Sequence, residues 1–292
     1  MTRLAGDGTR VAVAMTIGSI VSVQCGAALS TTIFDSVGPF GTVLLRTAFG
    51  ALLLLLFVRG DLAAMRGRPI GDVILFGVAL AGVTLCFFAA LDRLPLGVAV
   101  TLEFVGPLGV AVLGSRRRRD LLWVALAAAG IVLLSGGAGG EAIDGVGVAL
   151  ALAAGGFWGL YIIQSARVGS NHPGLGGVAL AGAISTLIVA PFGIAQGGVE
   201  LLAPHNLAVG LAVGFLASSV PFVLELEALR RLPRAVFGVL MSLEPAVAAT
   251  IGFIALSQDL SATEVIAIGL VVCASAGALR SAGTPAPRDA EP

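Results

Sequence analysis

The chain has 292 residues, 57% hydrophobic and 12% charged, with 17 basic and 17 acidic side chains and a formal net charge of zero. A soluble domain carries roughly 25% charged residues, and a mean hydropathy of +1.02 places this chain in lipid rather than water. The apolar runs are continuous over about 20 residues, the length a helix needs to cross ~30 Å of hydrocarbon, and do not alternate as membrane-barrel strands do. An all-α polytopic membrane protein is expected.

Ten apolar segments follow in order. The first, 11–33, comes after Arg3 and Arg10 and carries Gln24; it outruns a signal-peptide core, so a retained helix is expected. The second, 37–58, holds Arg46 near its centre, and the third, 71–91, ends at a DRLP connection (92–95) short enough to force an antiparallel hairpin. The fourth, 96–114, contains Glu103 and Pro107. The run SRRRRD at 115–120 precedes the fifth, 121–136, and reads as a topology anchor; no nucleic-acid partner is expected. Segment six, 145–166, carries Trp158 and Tyr161, and segment seven spans 175–195. Segment eight, 207–228, carries Pro221 and Glu225, segment nine, 235–256, carries Ser242, Glu244 and Pro245, and segment ten is 264–279. The tail from Ser281 has a disordered composition.

Cys25, Cys86 and Cys273 fall in apolar runs without metal-type spacing and read as packing residues. His172 and His205 lie in expected loops away from any cysteine pair, so no metal or other cofactor is expected. Neither a phosphate loop nor a nucleophile elbow occurs, which argues against an enzyme. Pairs such as Gly155–Gly159 and Gly210–Gly214 have the spacing that lets helix backbones approach in lipid.

Arginine sets the orientation, because the chain has no lysine. With the N-terminus inside, every arginine except Arg46 and Arg93 falls in a cytoplasmic loop or tail, so ten crossings with both termini cytoplasmic are expected. ALDRLPLGVAV at 90–100 is repeated as ALRRLPRAVFG at 228–238, and the same offset of 138 residues carries Pro107 onto Pro245. Each half holds five crossings, an odd number, so the halves have opposite orientation. The organisation expected is a cytoplasmic tail (1–10), a first five-helix repeat (11–136), an outer loop (137–144), a second repeat (145–280) and a cytoplasmic tail (281–292). Inverted repeats with a midplane site are the architecture of alternating-access transporters.

Glu103 sits about 10 Å and Glu244 about 14 Å into their segments at the helical rise. A charge at such depth costs on the order of 2.5–3.5 kcal/mol, which favours a partner or a wet cavity over lipid. Gln24, Trp158, Tyr161 and Ser242 are candidates for lining that cavity. Pro107 removes the N–H that the Glu103 carbonyl would receive; Pro245 does the same for Met241 and Pro221 for Ala217. Freed carbonyls of this kind are expected to serve a polar substrate or proton site. Two readings of the charges stay open: an ion pair of Arg46 with Glu103 or Glu244 that only holds helices together, or an acid that exchanges a proton beside an Arg46 that takes a substrate carboxylate. Glu225 reads either as a pathway residue or as a partner of Arg230 or Arg231, and Trp158 and Tyr161 either as packing or as site residues.

VSVQCGAALSTTIF, LLRTAFGALLLL, LPLGVAVTLEFVGPLGVAVLGSRR, FWGLYI and RLPRAVFGVLMSLEPAVAA together resemble the EamA branch of the drug/metabolite transporter superfamily, and within it the RhtA-type threonine/homoserine exporters. The resemblance runs from about residue 11 to 280. It implies two inverted five-helix repeats in the cytoplasmic membrane and proton-driven export of small amino acids, with another small metabolite or a drug as the alternative cargo. It carries over Gln24, Arg46, Glu103, Glu225 and Glu244 as polar family positions. SQDLSATE at 257–264 departs from the Gly-Glu pair common in relatives. Expected partners are the amino-acid substrate and the bilayer, with the chain a monomer.

Overall fold

The computed structural model describes residues 2–58, 69–113, 120–135, 144–172, 175–229, 231–232 and 234–282. Among these there is no strand. Lipid offers the backbone no hydrogen bonds, so a spanning chain must satisfy its own, and helices do so within each segment. The N-terminal half comprises α1 (Thr2–Thr31), α2 (Phe34–Phe57), α3 (Gly71–Leu91), α4 (Leu96–Glu103), α5 (Val105–Leu113) and α6 (Asp120–Ser135). The C-terminal half comprises α7 (Gly145–Asn171), α8 (Gly176–Gly197), α9 (Pro204–Gly214), a π-helical turn (Phe215–Ser219), α10 (Val220–Leu229), α11 (Arg234–Met241), α12 (Glu244–Leu256) and α13 (Ala262–Ala282).

Over the described residues, each apolar segment of the sequence is therefore largely helical. Among the described residues, seven stretches are long and apolar enough to cross a membrane, from Thr9–Thr31 to Val239–Leu256, while Leu96–Val110, Leu122–Ile131 and Ala262–Gly277 are shorter apolar helices. The outward faces are apolar, with Leu187, Phe192, Phe253, Ile254 and Ile266 exposed, whereas Thr16, Ser19, Gln24, Glu103 and Glu244 are buried. The chain is an integral membrane protein. Residues 2–10, expected as a tail, continue α1. The basic stretches 59–68 and 114–119, the loop 136–143 and the tail 283–292 lie outside the described residues.

The halves are interleaved. α2 packs on α8, α4 on α12 and α6 on α13; α3 packs on α7 and α1 on α10; α3 also touches α8, and α9 touches α2. Polar contacts hold both ends of the antiparallel pair α3 and α7. At one end His172 Nε2 lies 3.1 Å from Asp72 Oδ1 and Asn171 Nδ2 donates to Asp72 Oδ2 at 3.1 Å. At the other, Arg93 donates to Asp144 at 2.8 Å while Asp144 caps α7 by accepting from the Val146 and Gly147 N–H groups. The hydrogen bond from Arg93 holds the Asp144 carboxyl below its ordinary range. The departure at 257–264 has a structural role as well. Ser261 and Glu264 form a reciprocal capping box that starts α13, and Gln258 accepts from the Leu96 N–H at the start of α4.

Candidate functional site

Proline interrupts two of the segments that reach the centre. The fourth breaks at Phe104, between α4 and α5, with Pro107 in the first turn of α5 where a missing N–H costs least. The ninth breaks at Ser242 and Leu243, with Pro245 opening α12. Pro221 behaves differently: the helix does not stop but widens into the π turn just before it, and Ser22 Oγ donates to the Leu216 carbonyl at 2.7 Å. The expectation that the carbonyl freed by Pro107 serves the site is corrected. A Cβ built on Gly155 would come within 2.6 Å of the Glu103 carbonyl oxygen, so α7 covers that carbonyl. Only the glycine lets the backbones approach so closely, and the freed acceptor is spent on packing.

The Glu103 side chain points elsewhere. A cavity of ≈ 510 Å³ lies among α1, α2, α3, α4, α7, α10, α11 and α12, and Gln24, Arg46, Glu103, Trp158, Tyr161, Glu225 and Glu244 all line it, with Pro221 at its wall. Seven of the eight polar and aromatic candidates thus meet in one place. Ser242 does not: it is fully buried off the cavity, its hydroxyl donating to the Val239 carbonyl at 2.6 Å. Pro107 and Pro245 also lie off the cavity wall.

Arg46 forms no ion pair among the described residues, which corrects the reading of it as a structural partner of Glu103 or Glu244. Its guanidinium instead lies over the Phe88 ring, Cζ 5.4 Å from the centroid, a cation–π contact that leaves its N–H fork unspent. Gln24 Nε2 donates to Glu244 Oε1 at 3.1 Å. Glu225 accepts from Ser19 Oγ at 2.6 Å, while Glu227, not Glu225, pairs with Arg231. Glu103 has no hydrogen-bond partner among the described residues. Trp158 packs edge-on against Phe104 and Tyr161 against Phe76, so both are packing residues and cavity walls at once.

Sequence reasoning missed Ser19 and Phe88. Ser19 and Ser22 share a face of α1 at helical spacing, a polar stripe that was there to be read. Phe88 sits in an apolar run and carried no such signal.

Residues 145–280 match the EamA-like transporter family. The chain is 40% identical to the threonine/homoserine exporter RhtA of Escherichia coli strain K12 over 89% of its own length and 88% of that protein's. The chain belongs to the EamA-like transporter family. Against RhtA of Salmonella typhimurium strain LT2 identity is 39%, covering 88% of this chain and 87% of the relative. A solved crystal structure with 20% sequence identity superposes at a TM-score of 0.64 and covers 94% of this EamA-like chain, a likeness of fold. The cavity therefore lies inside a protein of a transporter family, with Arg46, Glu103, Glu225 and Glu244 facing it.

Proposed function

We propose that the protein exports small amino acids of the threonine/homoserine type from the cytoplasm by proton antiport, through ten crossings arranged as two inverted five-helix repeats in the inner membrane, with both termini cytoplasmic. The observation that carries this reading is the ≈ 510 Å³ cavity in which one guanidinium faces three carboxyl groups. That volume suits a small ligand. A zwitterion needs both signs of charge, and an excess of acids over bases leaves a place for protons. The 40% identity to a threonine/homoserine exporter supports the same cargo.

Helix packing supports the inverted repeat. Exchanging α1 for α7, α2 for α8, α3 for α9 and α10, α4 and α5 for α11 and α12, and α6 for α13 returns the principal contacts: α2 on α8, α4 on α12 and α6 on α13 map onto themselves, α3 on α7 maps onto α1 on α10, and α3 on α8 maps onto α2 on α9. Such exchange symmetry is what alternating access by two halves around a fixed site requires. Arg46 would take the substrate carboxylate, and Glu103 or Glu244 would exchange the proton. The test loads cells with a threonine-containing dipeptide and follows efflux with and without the protein. Faster efflux of threonine or homoserine is expected; unchanged efflux of both, with the protein present in the membrane, sinks the assignment.

Phe76, Phe87 and Phe88 on the cavity wall favour one alternative, an exporter of a more apolar metabolite or drug. Competition of such compounds with threonine efflux separates the two.

A further inference from the structure

The contact between Gln24 and Glu244 is only half satisfied. Gln24 is 1% exposed and Glu244 7%, and one hydrogen bond of 3.1 Å joins them. Gln24 Oε1 and Glu244 Oε2 are buried and accept no hydrogen bond among the described residues. Turning the amide over does not cure this: Gln24 Oε1 would then face a carboxylate, and its two N–H groups would be the orphans. A buried acceptor without a donor costs about 1–3 kcal/mol, more when charged. Two such oxygens on one contacting pair, both residues lining the cavity, call for a ligand with several N–H donors and positive charge.

We propose that Gln24 and Glu244 form the subsite for the substrate's ammonium group, Gln24 Oε1 and Glu244 Oε2 accepting two of its N–H bonds. This rests on the reading of the protein as an amino-acid exporter. The third N–H faces the cavity, and the substrate carboxylate goes to the guanidinium of Arg46, whose donors form no ion pair among the described residues. α1 supplies one acceptor and α12 the other, so the ammonium bridges the two halves of the chain and its arrival or departure acts on the packing of α1 against α12. Glu103, without a hydrogen-bond partner, is left as the acid that exchanges the proton. Recognition at this subsite depends on a primary amine: cargo lacking one is held only through its carboxylate at Arg46, and more weakly.

The test uses the purified full chain in proteoliposomes, with efflux of labelled threonine competed by two analogues. Threoninol keeps the amine and lacks the carboxylate; 2,3-dihydroxybutyrate keeps the carboxylate and has a hydroxyl in place of the amine. In Gln24→Leu, threoninol competition and the apparent affinity for threonine are expected to fall about tenfold or more, the worth of one charge-assisted hydrogen bond. Competition by 2,3-dihydroxybutyrate stays as in the wild type. Arg46→Gln reverses the pattern. Equal loss toward both analogues in Gln24→Leu overturns the subsite while the exporter reading stands. So does a sodium dependence of wild-type efflux that Gln24→Leu abolishes, since the oxygens would then hold a metal cation. Wild-type protein that moves neither threonine nor homoserine overturns the exporter reading and the subsite with it.

Discussion

The Arg46 guanidinium lies over the Phe88 ring, Cζ 5.4 Å from the centroid, and among the described residues forms no ion pair with a carboxylate of its cavity. An aromatic face steadies the cation without consuming its N–H donors, and a planar fork held this way suits a carboxylate ligand. Arg46→Gln is expected to reduce export about tenfold or more. Arg46→Lys, which keeps charge but not the fork, falls between the two. Phe88→Leu costs about two- to thirtyfold, in line with a cation–π contact of about 0.5–2 kcal/mol. Efflux rates normalised to protein in the membrane measure all three; a fully active Arg46→Gln would rule out the carboxylate contact.

Glu103 and Glu244 share the cavity but not their surroundings, since among the described residues Glu244 is hydrogen-bonded to Gln24 and Glu103 to none. Glu103→Gln should therefore abolish acceleration of efflux by an imposed proton gradient while exchange of labelled for unlabelled threonine continues. Glu244→Gln should impair both assays, because it alters substrate contact as well. The comparison is made in proteoliposomes with and without the gradient. Gradient-driven efflux that survives both substitutions removes proton antiport through these acids.

How far the sequence reveals this arrangement depends on the kind of information each residue carries. Apolar length and short connections were enough for the helical segments, because lipid leaves the backbone one solution. A buried charge or amide in an apolar run announces itself, so Gln24, Arg46, Glu103, Glu225 and Glu244 were visible as candidates. Their partners were not. Whether Arg46 meets an acid or an aromatic ring depends on how α2 faces α3, and no periodicity encodes that. Ser242 shows the opposite error. Adjacent to Glu244 in sequence, it falls in the break between α11 and α12, where its hydroxyl bonds its own backbone. The carbonyl freed by Pro107 was foreseeable from the chain, but the glycine that covers it, Gly155, comes from another helix.

Gly106 and Gly155 stand backbone to backbone where α5 meets α7: a Cβ on Gly106 would collide with the Gly155 carbonyl, and one on Gly155 would meet the Glu103 carbonyl at 2.6 Å. Backbone cannot move aside as a side-chain tip can. Gly106→Ala and Gly155→Ala are each expected to destabilise the protein by about 1–3 kcal/mol, as overpacking does. Gly156→Ala, where a Cβ meets open space, is the matched control and should be near neutral. Thermal unfolding of the detergent-solubilised variants checks the order; a Gly155→Ala protein as stable as Gly156→Ala contradicts the close contact.

The exposed contact between Arg93 and Asp144 gives a pH dependence of definite sign. The Arg93 hydrogen bond, with the Val146 N–H next, keeps the Asp144 carboxyl ionised to lower pH than in an unfolded chain. A carboxyl depressed in the folded state contributes stability above its unfolded value, about 3.9 for aspartate, and loses it as pH falls through the lower folded value. Asp144→Asn should therefore have a lower Tm than wild type at neutral pH, with the gap closing below about pH 4. The effect is small, because both groups face solvent and salt screens them. Added salt should narrow the neutral-pH gap as well. An asparagine also accepts from the Val146 N–H, so the α7 cap is kept in this variant and a gap that persists unchanged into acid would leave the ion pair without a role.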